Sequence, residues 1–181
     1  VQLWKKPMTD WGWKSWGTRQ NVRFSQPIQL PKRMVVDEDR LYVTLGWNAP
    51  VSVLDARNGD TIESLDGSEY ADELLVSDGK MVLSVYERPV QPSLKKQTGS
   101  AQPSTIKKRV RAIDLDSGRM LWETEWLDGL TGRYDAVAPQ THLELVVKAD
   151  KVFAITKREI VCFALEDGMQ LWKRPRPEHP E

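Results

Sequence analysis

The sequence has one cysteine, Cys162, two histidines and no surplus of either charge: 26 Lys and Arg stand against 26 Asp and Glu in 181 residues. A single cysteine excludes an internal disulfide framework and any zinc site built from several thiolates. Balanced charge removes the ordinary reason to expect nucleic acid or an anionic membrane as partner, since both call for an excess of cations. No apolar run approaches the roughly 18 residues of a membrane-spanning helix, and no basic head followed by an apolar stretch opens the chain as an export signal would. The sequence begins at Val1 rather than Met, so the missing signal is weak guidance on compartment. His142 and His179 are far apart, and His179 sits in the proline-rich tail PRPEHPE, which leaves a metal pair or a Ser/His/Asp arrangement without support. Glycine-rich phosphate loops of the GxGxxG or GxxxxGK(S/T) type are absent, as is helix-length periodicity.

What is present is enough for one globular domain. With 40% hydrophobic and 29% charged residues, a chain of this length buries roughly 70% of its unfolded surface without a staple. Its most informative feature is an internal repeat. VVDEDRLYVTL followed by VSVLDARNGDTIESL, LVSDGKMVLSVYE followed by RVRAIDLDSGRMLWE, and VVKADKVFAITK followed by EIVCFALEDGMQLWK share one layout of four short strands. Polar turns centred on Asp39, Gly79 and Asp150 separate the first two strands of each copy. Asn58-Gly59, Ser117-Gly118 and Asp167-Gly168 mark the turn between the last two, where glycine supplies a positive φ. Leu41, Val43 and Leu45, then Met81, Leu83 and Val85, then Val152, Ala154 and Thr156 alternate with period two, the pattern of half-buried strands.

Repeats of four strands at this spacing predict an all-β fold made of propeller blades, over residues 34–66, 74–123 and 143–175. Residues 88–109, RPVQPSLKKQTGSAQPSTIKKR, are expected to be a long loop inserted in the middle blade, and their lysines and arginines a solvated surface. The phrase VQLWKKP at residues 1–7 returns as MQLWKRP at residues 169–175. Residues 1–7 are therefore expected to be the last strand of a preceding blade. The whole reads as a partial β-propeller of three four-stranded antiparallel blades plus one extra outer strand. Three blades do not close a ring, so the expected partners are further blades of a longer parent chain or a second copy.

AIDLDSGRMLW, Ala112 to Trp122, resembles the AxDxxTGxxxW signature of the quinoprotein (PQQ-type) β-propeller repeats, with Ser117 in place of Thr. VLDARNGDTIE keeps Asp55 and Gly59 but has Glu63 at the tryptophan position; CFALEDGMQLW keeps Gly168 and Trp172 but has Ala164 at the aspartate position. The resemblance implies a structural repeat motif of Trp4, Asp55, Gly59, Asp114, Gly118, Trp122, Gly168 and Trp172. Its tryptophans would stack between blades and its aspartates would bond turn amides. It implies two functions. BamB-like relatives of this family are non-catalytic scaffolds without cofactor; quinoprotein dehydrogenases hold PQQ and calcium in the central funnel and use a catalytic Asp, and several have a vicinal disulfide that this chain cannot form. Degraded repeats favour the scaffold, with no catalytic or metal-ligating residue and an extracytoplasmic location, as is usual in the family. The acidic turn Asp37, Glu38 and Asp39 reads as a solvated hairpin tip rather than a calcium loop.

One stretch remains as a candidate binding surface. Asp10 to Pro27 packs Trp11, Trp13 and Trp16 with Arg19 and Arg23, and Trp47 lies in another connection. Aromatic planes beside guanidinium donors suit an anionic aromatic ligand, a sugar or a peptide. The same residues would also serve as a cap over a sheet edge, which is the more ordinary role of Trp-rich segments in propellers.

Overall fold

A computed structural model describes residues 2–7, 33–46, 48–87, 107–128, 143–156 and 158–177. Trp11, Trp13, Trp16, Arg19, Arg23 and Trp47 lie outside the described residues, as do His142 and His179.

The strands run β1 (Met34–Asp37), β2 (Arg40–Thr44), β3 (Val51–Asp55) and β4 (Thr61–Leu65); β5 (Ala71–Ser77), β6 (Lys80–Tyr86), β7 (Lys107–Asp114), β8 (Met120–Glu123) and β9 (Leu127–Asp128); β10 (Glu144–Lys148), β11 (Lys151–Ile155), β12 (Glu159–Ala164) and β13 (Gln170–Pro175). They form three antiparallel meanders in sequence order, β1 to β4, β5 to β8 and β10 to β13, with β9 adding to the edge of β7. The middle blade thus begins at Ala71. β7 begins at Lys107, so residues 107–109, expected to close the inserted loop, are strand. Residues 2–7, expected to be a strand, form none, although Trp4 is seated as described below.

Each meander uses two kinds of turn. The first closes Asp37 on Arg40, Ser77 on Lys80 and Lys148 on Lys151, with Glu38, Asp78 and Ala149 left-handed at φ 50, 49 and 53°. The second ends on Gly59, Gly118 and Gly168 at φ 78, 67 and 73°, and a bulge follows at the same point of all three copies, beside Val53, Ala112 and Cys162. A glycine in this conformation followed by a bulge accommodates the extra residue that re-aims the outer strand.

Register places one residue of every strand in a row across its sheet: Val35–Tyr42–Val53–Glu63, Leu75–Val82–Ala112–Trp122 and Val146–Phe153–Cys162–Trp172. The rows of the first and second blades each face the blade that follows. Tyr42 and Val53 pack with Leu74, Met81, Leu83 and Ile113 in one core, while Val82, Ala112 and Trp122 pack with Leu145, Val152, Ala154, Val161 and Phe163 in a second. The core therefore lies between sheets. This corrects the expected half-buried alternation, for in β6 Met81, Val82, Leu83 and Ser84 are all fully buried because a sheet covers each face. In β2 the buried residues include Tyr42 and Thr44, while Val43 is only half-buried.

Candidate functional site

Strand direction sorts the connections. Both short turns of each meander lie at one end of the sheets, so the links between second and third strands, and between blades, all attach at the other end. The connection holding Trp47 joins the described chain there, and the one holding Trp11, Trp13, Trp16, Arg19 and Arg23 enters β1 there.

That end is built on buried charge. The register shifts between Ala71 and Glu73, and a bulge at this point redirects side chains. Asp72 forms an ion pair with Lys108, and both residues are buried. Glu73, also buried, accepts a hydrogen bond from the Leu145 amide at 3.1 Å and so ties the second blade to the third. The Tyr86 hydroxyl donates to Asn48 Oδ1, and its ring meets Tyr70 edge-on at 5.5 Å between centroids. Burial pushes Tyr86 up to about 12, against the pull of the neighbouring Arg33 guanidinium. Burial lowers the pKa of Arg33 itself, opposed by the Asp72 carboxylate and by Tyr86. β7 continues the pattern at the surface. Arg111 donates to Glu123 at 2.7 and 3.1 Å, Arg109 pairs with the same carboxylate, and the Arg109 guanidinium lies 3.6 Å over the Trp126 ring. Lys108 and Arg109, read from sequence as solvated cations of the inserted loop, are thus strand residues with carboxylate partners, as is Arg111 in the strand that continues from them. The charge run gave no hint of this, because their partners lie 36, 14 and 12 residues away.

The repeat-motif residues gather at the opposite end. The Trp122 indole donates to the Leu165 carbonyl at 2.9 Å and lies over Gly168, where an added Cβ would fall 2.6 Å from the ring. Trp4 repeats this on the first blade: its indole donates to Ala56 O at 3.0 Å, and a Cβ on Gly59 would fall 2.7 Å from its ring. The amides of Ala56, Leu115 and Leu165 donate to the Asp39, Gly79 and Asp150 carbonyls, locking the two turns of each blade together. Asp114 Oδ1 accepts from the Ser117 amide at 2.8 Å, and Asp55 Oδ1 from the Arg57 amide at the same distance. Hydrogen bonds from Arg57 hold Asp55 down to about 2, and those from Ser117 lower Asp114. In the third blade Ala164 replaces the aspartate, and Asp167 accepts from the Met169 amide as Asn58 accepts from the Asp60 amide in the first. Between the first and second blades Glu63 replaces tryptophan, and Gly118 meets only Leu65, at 3.9 Å. Trp172, expected to pack between blades, is 39% exposed and rests on Phe153 at 6.0 Å.

Calcium, the ion that accompanies PQQ, does not fit the two buried carboxylates of the connection end. Calcium takes six to eight oxygens, whereas the two buried carboxylates there face Lys108, Arg33 and a backbone amide. Among the described residues no three His, Cys, Asp or Glu gather as metal ligands, and no helix is long and apolar enough to cross a membrane.

Comparison with known proteins places this geometry. Residues 2–181 match the family described as outer membrane protein assembly factor BamB. BamB from Moraxella catarrhalis is similar at 18% identity and a TM-score of 0.45, covering 80% of this chain and 37% of its own. Quinohemoprotein alcohol dehydrogenase ADHIIG from Pseudomonas putida HK5 is similar at 16% identity and a TM-score of 0.50, covering 81% of this chain and 20% of its own. The designed protein Ika4 matches at 16% identity and a TM-score of 0.47, covering 85% of this chain and 76% of its own. No curated protein matches. The chain spans about a third of the BamB structure and a fifth of the dehydrogenase. With three meanders stacked face to face, tryptophans seated over the glycine turns of following blades, and a family match that runs from Gln2 to the last residue, this chain belongs to the BamB family of PQQ-type β-propeller repeats.

Proposed function

We propose that this chain is a non-catalytic scaffold, working outside the cytoplasm in the assembly of outer-membrane proteins, and that it binds a protein partner with the connections at one end of its blades. The observation that carries this reading is the state of the charged groups at that end. Asp72 and Lys108 are buried and paired within the middle blade, and the buried Glu73 is bonded to the third, which makes a rigid base rather than a reactive centre; rigid blades then let connections vary without disturbing the core. The family match supports the assembly role. Trp11, Trp13, Trp16, Arg19, Arg23 and Trp47 supply the aromatic and guanidinium groups suited to anchoring a polypeptide.

Two experiments test the proposal. Titration of the chain with PQQ, with and without calcium, is expected to quench its tryptophan fluorescence no more than that of an unrelated tryptophan-rich protein; saturable, calcium-dependent quenching would overturn the reading in favour of a dehydrogenase fragment. A photo-crosslinker at position 13 is expected to capture a discrete protein in the cell envelope. Failure at positions 11, 13, 16 and 47 alike would remove the connections from the binding face.

A further inference from the structure

Three glycine turns are built alike, and two of them hold a tryptophan. Gly59 lies under Trp4 and Gly168 under Trp122, and each indole donates to the carbonyl three residues before the glycine, that of Ala56 or Leu165. The turn at Gly118 has the same main chain. Gly118 is left-handed at φ 67°, its amide donates to the Asp114 carbonyl at 2.9 Å, and the Leu115 amide donates to the Gly79 carbonyl at 2.9 Å, as the matching amides do in the other two blades.

What differs is the residue that the preceding blade offers. Glu63 pairs with Val53 at the point where Trp122 pairs with Ala112 and Trp172 with Cys162. Glu63 is exposed, and among the described residues no cation pairs with it. Over Gly118 the nearest atom beyond its chain neighbours is Leu65 Cδ2, 3.9 Å from where a Cβ would stand, against ring atoms at 2.6 and 2.7 Å in the other two seats. Among the described residues no side chain donates to the Leu115 carbonyl. The rest of the seam is packed, with Tyr42, Val53 and Leu65 against Met81, Ile113 and Leu115. Met120, two residues beyond the glycine and 51% exposed, gives the seat an apolar edge.

The Gly59 seat shows what such a site accepts. Residues 2–7, QLWKKP, form no strand, yet Trp4 is seated, and Lys6 donates to Gly59 O at 3.0 Å and to Thr61 Oγ1 at 2.9 Å. A tryptophan therefore enters from a short segment that no sheet ladder holds. Residues 170–175, QLWKRP, repeat the order of a tryptophan followed two places on by a cation.

We infer that the seat at Gly118 takes the tryptophan of a partner polypeptide carrying the sequence Trp-x-Lys or Trp-x-Arg. The indole N–H donates to the Leu115 carbonyl, the ring lies over Gly118 against Leu65, and the cation stands beside Glu63. A buried indole with a satisfied N–H is the kind of anchor that concentrates binding energy in one residue. The seat lies at the turn end, between two blades of this chain, away from the connections that the proposed function uses and from the outer faces of the first and third blades.

The probe is the peptide QLWKKP with an amino-terminal fluorescein, titrated with the full chain and read by anisotropy. Saturable binding is expected, and QLAKKP is expected to bind at least tenfold more weakly. Glu63→Trp places the chain's own indole in the seat; it is expected to weaken peptide binding at least tenfold and to raise the melting temperature by about 2–4 °C. Gly118→Ala, whose methyl group meets the incoming ring, is expected to weaken binding as much, whereas Gly79→Ala, at the same φ with nothing within 4 Å, leaves it unchanged. Glu63→Gln is expected to weaken it about threefold, the worth of one exposed ion pair. No saturable binding would overturn the inference. So would binding that survives both Glu63→Trp and Gly118→Ala, which would put the peptide in the Gly59 seat in place of Trp4, and so would an equal loss in Gly79→Ala, which would make backbone strain the cause. Self-association of the chain that the peptide reverses would overturn the partner in favour of a second copy.

Discussion

The seat of Trp122 concentrates stability in few atoms. Removing this buried aromatic leaves a cavity between two blades and frees the Leu165 carbonyl, so Trp122→Ala is expected to cost about 3–5 kcal/mol in chemical denaturation. Gly168→Ala is expected to cost well over 2 kcal/mol, since it adds strain at φ 73° to a Cβ 2.6 Å from a ring that has no room to retreat. Gly79→Ala, at φ 67° with nothing within 4 Å of its Cβ, provides the control: only the backbone term remains, about 1 kcal/mol. Equal losses at the two glycines would show that the indole yields. The turn aspartates set an acid limit. Asp55 titrates at about 2 in the folded chain and near 3.9 unfolded, so the unfolded state binds the extra proton in between. Its stabilisation is complete above about pH 4 and is lost as pH falls toward about 2; Asp55→Asn is expected to flatten the fall of the denaturation midpoint across that window. Asp55, Asp114 and the three turn glycines were legible in the sequence because their partners lie within a few residues. The exposure of Trp172 was not, since it depends on which blade comes next.

At the scale of the element, β5 and β7 depend on each other through charge. Asp72→Asn is expected to destabilise by about 3 kcal/mol or more, because Lys108 is then left as a buried cation without its carboxylate. Replacing both with apolar residues of similar size should recover most of that loss, a comparison that urea denaturation of the single and double variants makes directly. The repeat layout and the turn positions of these strands could be read from periodicity. The ion pair could not, because Lys108 reads as one more cation in a basic run, and Asp72 meets it only through the bulge after Ala71. Periodicity also failed for β6, where a second covering sheet turns alternation into continuous burial. The turn at Ala149 is a smaller case of local conflict: an alanine held at φ 53° is expected to gain about 0.5–1 kcal/mol on change to glycine, seen as a raised Tm.

For the whole molecule, burial is graded from the middle outward. β6 has a sheet on both faces and β13 is exposed along its length. Amide exchange of the isolated chain is expected to be slowest in β6 and fastest among strands in β13, and a uniform rate would mean that the three blades open together. The tryptophan seats have one more consequence, for how such sequences diverge. Each seat consists of a main-chain carbonyl and the space where a glycine has no side chain, so it asks nothing of the turn residues beside it, and Arg57-Asn58 in one blade becomes Glu166-Asp167 in another. Mutation can rewrite the rest of the turn while the joint keeps its shape, and drift of that kind is compatible with a blade architecture shared at 16% identity.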